Sequence, residues 1–233
     1  MPITYCAAAC LVSVAAALLL SFACSRPGRK DGMFSAALGI IVFRIVKSMI
    51  VECGWGFAAV AGTTNGLVLE SLLTLCGLFF FSEVAESGKR MKKAEVSHRL
   101  LSVTGVTLIC AGKGMLFDGR LIPDAAAFIA GKAAGIALLS WAVFLTEEES
   151  ARDVWRAPSL WAAVCPVGSF VLECSVRPLS GSGEVASAPL LILFGSCALL
   201  CRLPERMAAW QKPSSAGLAT GLLLSYAFDC LTG

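Results

Sequence analysis

Five ionisable side chains stand out within otherwise apolar stretches of the chain: Arg44, Lys47, Glu70, Lys132 and Glu173. A charge at the centre of a bilayer helix costs about 2.5–3.5 kcal/mol, so each of these should be paired or should face water. Counted inward from the outer ends of their stretches, all five fall in the outer half of a membrane, with Arg44 nearest the midplane. Arg44 and Lys47 are i,i+3 and share a helix face, which calls for acids opposite them. Lys47 is expected to pair with Glu70, because their stretches are consecutive and joined by a short Gly-rich connection. Arg44 is expected to turn to Glu173 or to water. Such a cluster either fixes helix packing through ion pairs or lines a polar cavity open to the non-cytoplasmic side, holding a ligand or a segment of a partner.

No other residue set carries a catalytic signature. The single histidine, His98, stands beside Arg99 and reads as an interfacial residue; one histidine excludes the His-rich zinc hydrolase patterns. The chain has no GxSxG nucleophile elbow, no phosphate-binding loop and no dinucleotide fingerprint. Most of the eleven cysteines lie in apolar stretches and read as small, polarisable packing residues. Cys6/Cys10 and Cys197/Cys201 are i,i+4 pairs, too few ligands for a metal. Cys53, Cys174 and Cys230 fall near the non-cytoplasmic surface and are the disulfide candidates. Two glycine pairs, Gly62/Gly66 and Gly131/Gly135, have the spacing that lets helix backbones approach closely in lipid; packing within the chain is the expected use. Neither a catalytic residue, a cofactor nor a metal is expected.

The elements that must position these residues follow from composition. Of 233 residues, 57% are hydrophobic and only 15% charged, against about 25% charged in a soluble domain. These proportions exclude disorder, a collagen-like repeat and a nucleic-acid-binding domain. A bilayer crossing takes about 20 mostly apolar residues. Candidate spans are 3–24, 33–51, 63–82, 100–112 (extendable to 117), 124–145, 159–176, 188–201 and 214–231, separated by Pro- and Gly-rich breaks such as Cys53-Gly54-Trp55-Gly56. The expectation is one all-α, polytopic membrane domain over 1–233, with about eight transmembrane helices and short loops.

Basic residues test that count, because they collect in cytoplasmic loops. Thirteen of the nineteen occupy alternate connections: Arg26, Arg29 and Lys30; Lys89, Arg90, Lys92, Lys93 and Arg99; Arg152 and Arg156; Arg202, Arg206 and Lys212. The intervening connections hold only Lys113, Arg120 and Arg177. Both termini are therefore expected outside the cytoplasm. The first stretch has no preceding basic region, so it reads as an uncleaved helix and not as a signal peptide.

Gly39, Phe43, Lys47 and Met49, following a short first span that ends in Cys24-Ser25, resemble the transmembrane protein 147 family. His98-Arg99-Leu100-Leu101 with Gly105, then Phe117-Asp118 and Val171-Leu172-Glu173, stand in the same order. That family comprises small endoplasmic-reticulum proteins similar in fold to the anterior-pharynx-defective subunit of gamma-secretase, with seven spans where the charge pattern here favours eight. The resemblance covers about the first 175 residues. It implies a non-enzymatic subunit beside the protein-conducting channel with nicalin-type and NOMO-type partners, and a basic loop of Lys89, Arg90, Lys92 and Lys93 open to acidic lipid or ribosomal surfaces.

The functional expectation is a non-enzymatic subunit or scaffold of a larger membrane complex, whose partners are other membrane subunits and lipids, favoured in the endoplasmic reticulum. Apart from a ribosome surface, no nucleic-acid contact is expected. Two alternatives remain open: an accessory subunit of a mitochondrial respiratory or ATP-synthase complex, and a small-solute channel or transporter using the buried charges.

Overall fold

The computed structural model describes residues 15, 30–90, 94–117, 135, 138–146, 164–165, 167–169, 171–172, 175, 184–209 and 214–232. Among the described residues the chain is helical, with no strand. The elements are α1 (Lys30–Lys47), a π-helical stretch (Ser48–Cys53), α2 (Gly54–Ala61), α3 (Thr63–Arg90), α4 (Ala94–Phe117), α5 (Glu184–Ala209) and α6 (Ser215–Thr232). Three helical stretches are long and apolar enough to cross a membrane: Gly32–Ala61, Thr63–Gly88 and Ser187–Glu205. The sequence span 3–24 and most of 124–145 and 159–176 lie outside the described residues.

The break expected at Cys53-Gly54-Trp55-Gly56 is not a break. α1 runs through the π-helical stretch directly into α2, giving one continuous apolar stretch of 30 residues. Glycine is tolerated there because Gly56 lies under Pro189 of α5, whose ring atoms would stand 2.7–2.8 Å from a Cβ. The turn comes later, at Gly62. Its φ of 79° is open to glycine at no steric cost, and its N–H closes on the Ala58 carbonyl at 2.9 Å, ending α2. Gly66 then presses α3 against the backbone of Phe57 and Ala58. The Gly62/Gly66 pair thus builds a helical hairpin within the chain, one glycine as turn and the other as contact.

The chain divides into two compact units. The first comprises Met1–Arg44, Ile122–Val167 and Arg206–Gly233; the second comprises Ile45–Leu121 and Gly168–Glu205. In the first unit α1 and α6 run side by side in the same direction. Gly217 of α6 abuts Gly32 and Ser35, Gly221 abuts Ala36, and Gly39 of α1 abuts Leu218 and Leu222. Small residues at these positions let the two backbones meet. Ser214 caps α6 by accepting the Gly217 N–H at 3.2 Å, and its own N–H donates to Ser35 Oγ at 2.9 Å.

The second unit surrounds a core of Cys53, Phe57, Phe81, Leu101, Ile192, Leu193 and Cys197. α4 and α5 cross antiparallel through glycine contacts: Gly105 meets Leu199 and Gly195, and Gly112 meets Ile192 and Ala188. α3 and α5 run parallel. Cys197 donates its thiol hydrogen to the Thr74 carbonyl at 3.7 Å, and Cys201 donates to the Leu78 carbonyl at 3.5 Å. The i,i+4 cysteine pair therefore serves helix packing, each thiol bonding to the facing helix.

Candidate functional site: charges within the apolar helices

Arg44 is almost wholly buried in the first unit. Its Nη1 meets Asp229 Oδ1 of α6 at 2.7 Å, with side chains 8% and 14% exposed. Its guanidinium also lies over the Phe228 ring, 5.5 Å from the centroid. Gly135 comes close at this level: a Cβ there would lie 3.9 Å from Nη1. Phe43 and Tyr226, one position before Arg44 and three before Asp229, meet edge to face at 6.4 Å. The described partner of Arg44 is thus Asp229; Glu173, the acid expected for it, lies outside the described residues. Asp229, near the end of the last apolar stretch, is the acid that the sequence reading left out of its cluster.

In the second unit Lys113 of α4 meets Glu52 at 2.9 Å, both side chains largely buried. Neither belongs to the expected cluster: the sequence places Lys113 in an outer connection and Glu52 just past the end of its span. Two local features bring them together. α4 continues to Phe117, and the π-helical stretch, with its i→i+5 bonding, carries Glu52 and Cys53 on from α1. Cys53 is fully buried and donates its thiol hydrogen to the Pro189 carbonyl at 3.5 Å.

Glu70 of α3 is half-buried, and one carboxylate oxygen lies beside Gly54, 3.6 Å from where a Cβ would stand. Among the described residues it forms no ion pair, so the expected Lys47–Glu70 pair does not form. The reason is depth. Lys47 is four residues from Val51, the expected end of its span, but the helix runs on to Ala61. Lys47 therefore lies about 20 Å from the outer end and Glu70 about 10 Å from the start of α3, at 1.5 Å per residue. Gly54, seven residues past Lys47, reaches the level of Glu70. Lys47 is half-buried and has interactions of its own.

At the opposite ends of α4 and α5, His98 Nε2 is 3.7 Å from Glu205 Oε2, and Arg202 bonds to the same carboxylate. Arg90 makes an exposed i,i+4 pair with Glu86 at 3.4 Å, of the kind worth a few tenths of a kcal/mol. Lys132, Glu173, Lys92 and Lys93 lie outside the described residues, and Lys89 is placed only as a position on α3. Cys53 and Cys230 are both free thiols, and Cys174 lies outside the described residues, as do Cys6 and Cys10. Among the described residues no group of three or more His, Cys, Asp or Glu side chains is placed to hold a metal ion. No protein-family model matches the chain, and no curated protein matches it.

Proposed function

We propose that the chain is a non-enzymatic, multi-pass subunit or scaffold of a larger membrane protein complex, crossing the bilayer eight times. The observation that carries the structural reading is how the buried charges are used. Arg44–Asp229 and Glu52–Lys113 each join two different helices at direct ion-pair distance. Charges used in this way hold helices together and are not left facing a solute path.

Helix directions support the even span count. α1 and α6 are parallel, α3 and α5 are parallel, and α4 and α5 are antiparallel, as the alternation of basic connections requires for spans two and eight, three and seven, and four and seven. Removing either 124–145 or 159–176 from the count would reverse the α1/α6 and α4/α5 relations. α6 also runs beside α1 from Gly217 to Asp229, which supports its being a span although it is not among the three most apolar stretches.

In keeping with the resemblance to the transmembrane protein 147 family, the proposed location is the endoplasmic-reticulum membrane, near the protein-conducting channel. Lys89, Arg90, Lys92 and Lys93 would then meet acidic lipid or ribosomal surfaces. Reconstitution of the purified chain alone into liposomes tests the reading. It expects no flux of small ions or solutes above protein-free vesicles. A flux that disappears with Arg44→Met or Glu70→Gln would replace it with the transporter alternative.

A further inference from the structure

The ion pair that holds α1 to α6 uses only part of the Arg44 guanidinium. Nη1 meets Asp229 at 2.7 Å, whereas Nε and Nη2 are buried and meet no acceptor among the described residues. Between them they carry three N–H donors, one on Nε and two on Nη2. The Phe228 ring lies against the face of the guanidinium and leaves the hydrogens on its edge unmatched. With 8% of the side chain exposed, bulk solvent does not serve these donors either. Buried donors of a cation without an acceptor are costly.

The facing helix carries a second orphaned donor close by. Ser225 is wholly buried, and its hydroxyl has no partner among the described residues. Other hydroxyls in these helices turn back on their own backbone: Thr220 of α6 donates to the Ala216 carbonyl at 2.8 Å, and Ser71 and Thr74 of α3 do the same one turn back. Ser225 does not. On α6 it stands midway between Gly221, which abuts Ala36, and Asp229, which meets Arg44. That register sets Ser225 level with Ile40, about 6 Å along the axis from the Arg44 backbone. Helical side chains lean toward the N-terminus, so that of Arg44 leans toward the Ser225 level.

We infer that Arg44 and Ser225 form a binding site for one oxyanion, a carboxylate or phosphate group. The Nε–H and Nη2–H edge of a guanidinium is a fork that matches the paired oxygens of such a group with two parallel bonds. The Ser225 hydroxyl supplies a further donor. A water molecule or a lone carbonyl brings no second oxygen to the fork. Asp229 stays on Nη1 and keeps the two helices in register, so the anion adds to the ion pair and does not replace it. The site goes beyond the subunit reading and stands without it. Its occupant is the headgroup of an acidic lipid or a soluble anion, two sources of the same chemistry that the test separates.

The test uses the full-length chain in maltoside micelles, which contain no phosphate, with binding read by native mass spectrometry. Three probes are titrated: dioleoylphosphatidic acid, dioleoylglycerol with the same tails and no phosphate, and inorganic phosphate. The wild-type chain should hold one phosphatidic acid about tenfold more tightly than dioleoylglycerol, the scale of one charge-assisted fork. Binding of inorganic phosphate in its place would identify a soluble anion as the occupant and would support the site equally. Arg44→Lys keeps a cation for Asp229 but loses the fork, and should abolish the preference. Ser225→Ala, which leaves the ion pair untouched, should weaken it severalfold. If the wild-type chain prefers neither phosphatidic acid nor phosphate, the donors hold water only and the inference is overturned; that result depends on no variant folding. A preference that survives Ser225→Ala and Arg44→Lys unchanged lies elsewhere, as on the basic connections, and overturns it as well.

Discussion

Arg44 of α1 and Asp229 of α6 meet at 2.7 Å, joining the second apolar stretch of the chain to the last. The pair sits at the end of a contact that begins at Gly32 and Gly217 and passes through Ala36 and Gly221. Small residues bring the two helices together, and the ion pair fixes their register.

Removing one member of this pair strands the other in a low-dielectric site, at a cost of about 3–5 kcal/mol by analogy with soluble proteins. Arg44→Met or Asp229→Asn alone should sharply lower the amount of folded protein recovered from membranes. The double variant should recover part of the loss. Fluorescence-detected size exclusion in mild detergent measures all three; a double variant no better than the worse single one would dissolve the pairing.

Packing at Gly221 should be equally intolerant. A Cβ there would run into the Ala36 backbone, which cannot yield as a flexible side chain would. Gly221→Val should destabilise by at least the 1–3 kcal/mol, roughly, of an overpacked core. Gly32 serves as the control, since a Cβ there meets nothing within 4 Å. Gly32→Ala should be neutral or gain up to about 1 kcal/mol from helix propensity. Thermal melts of the two variants in one detergent compare them directly.

Glu52 and Lys113 predict a different pattern from Glu70. Glu52→Gln leaves the Lys113 ammonium buried without its acid and should lower thermal stability, with partial rescue by Lys113→Met. Glu70→Gln breaks no ion pair among the described residues, so the isolated protein should keep its melting temperature or gain. Equal losses in Glu52→Gln and Glu70→Gln would contradict the assignment of Lys113 to Glu52.

Orientation follows from the parallel course of α1 and α6 together with the basic connections. A tag after Gly233 should be shielded from protease added to the cytoplasmic side of sealed vesicles. A tag inserted near Arg90 should be cleaved. Cleavage of both would put the last span in the opposite direction and favour seven crossings.

Much of this architecture was readable from residue types alone. Apolar length identifies helices long enough to cross a bilayer, because lipid forces a helical backbone. Of the pair Gly62/Gly66, Gly66 makes the close contact within the chain that the spacing signals, whereas Gly62 is a turn with nothing near its Cβ position. What failed was local. Cys53-Gly54-Trp55-Gly56 has the composition of a turn, yet it stays helical, and its Gly56 is a packing position under Pro189, a tertiary contact with no local trace. That one displaced boundary shifted the depth of Lys47 by about ten residues' rise and produced the wrong partner for Glu70. Asp229 stands two residues from the end of its stretch, where an acid is ordinarily interfacial. Only the register of α6 on α1 brings it to Arg44.

The most direct measurement of the central claim is the mass of the particle that carries this chain when it is lifted from its native membrane in a lipid-preserving polymer or mild detergent. The account predicts a particle well above the 24.3 kDa of the chain, containing other integral membrane proteins in fixed proportion. A monodisperse 24.3 kDa species that conducts solutes after reconstitution would contradict it.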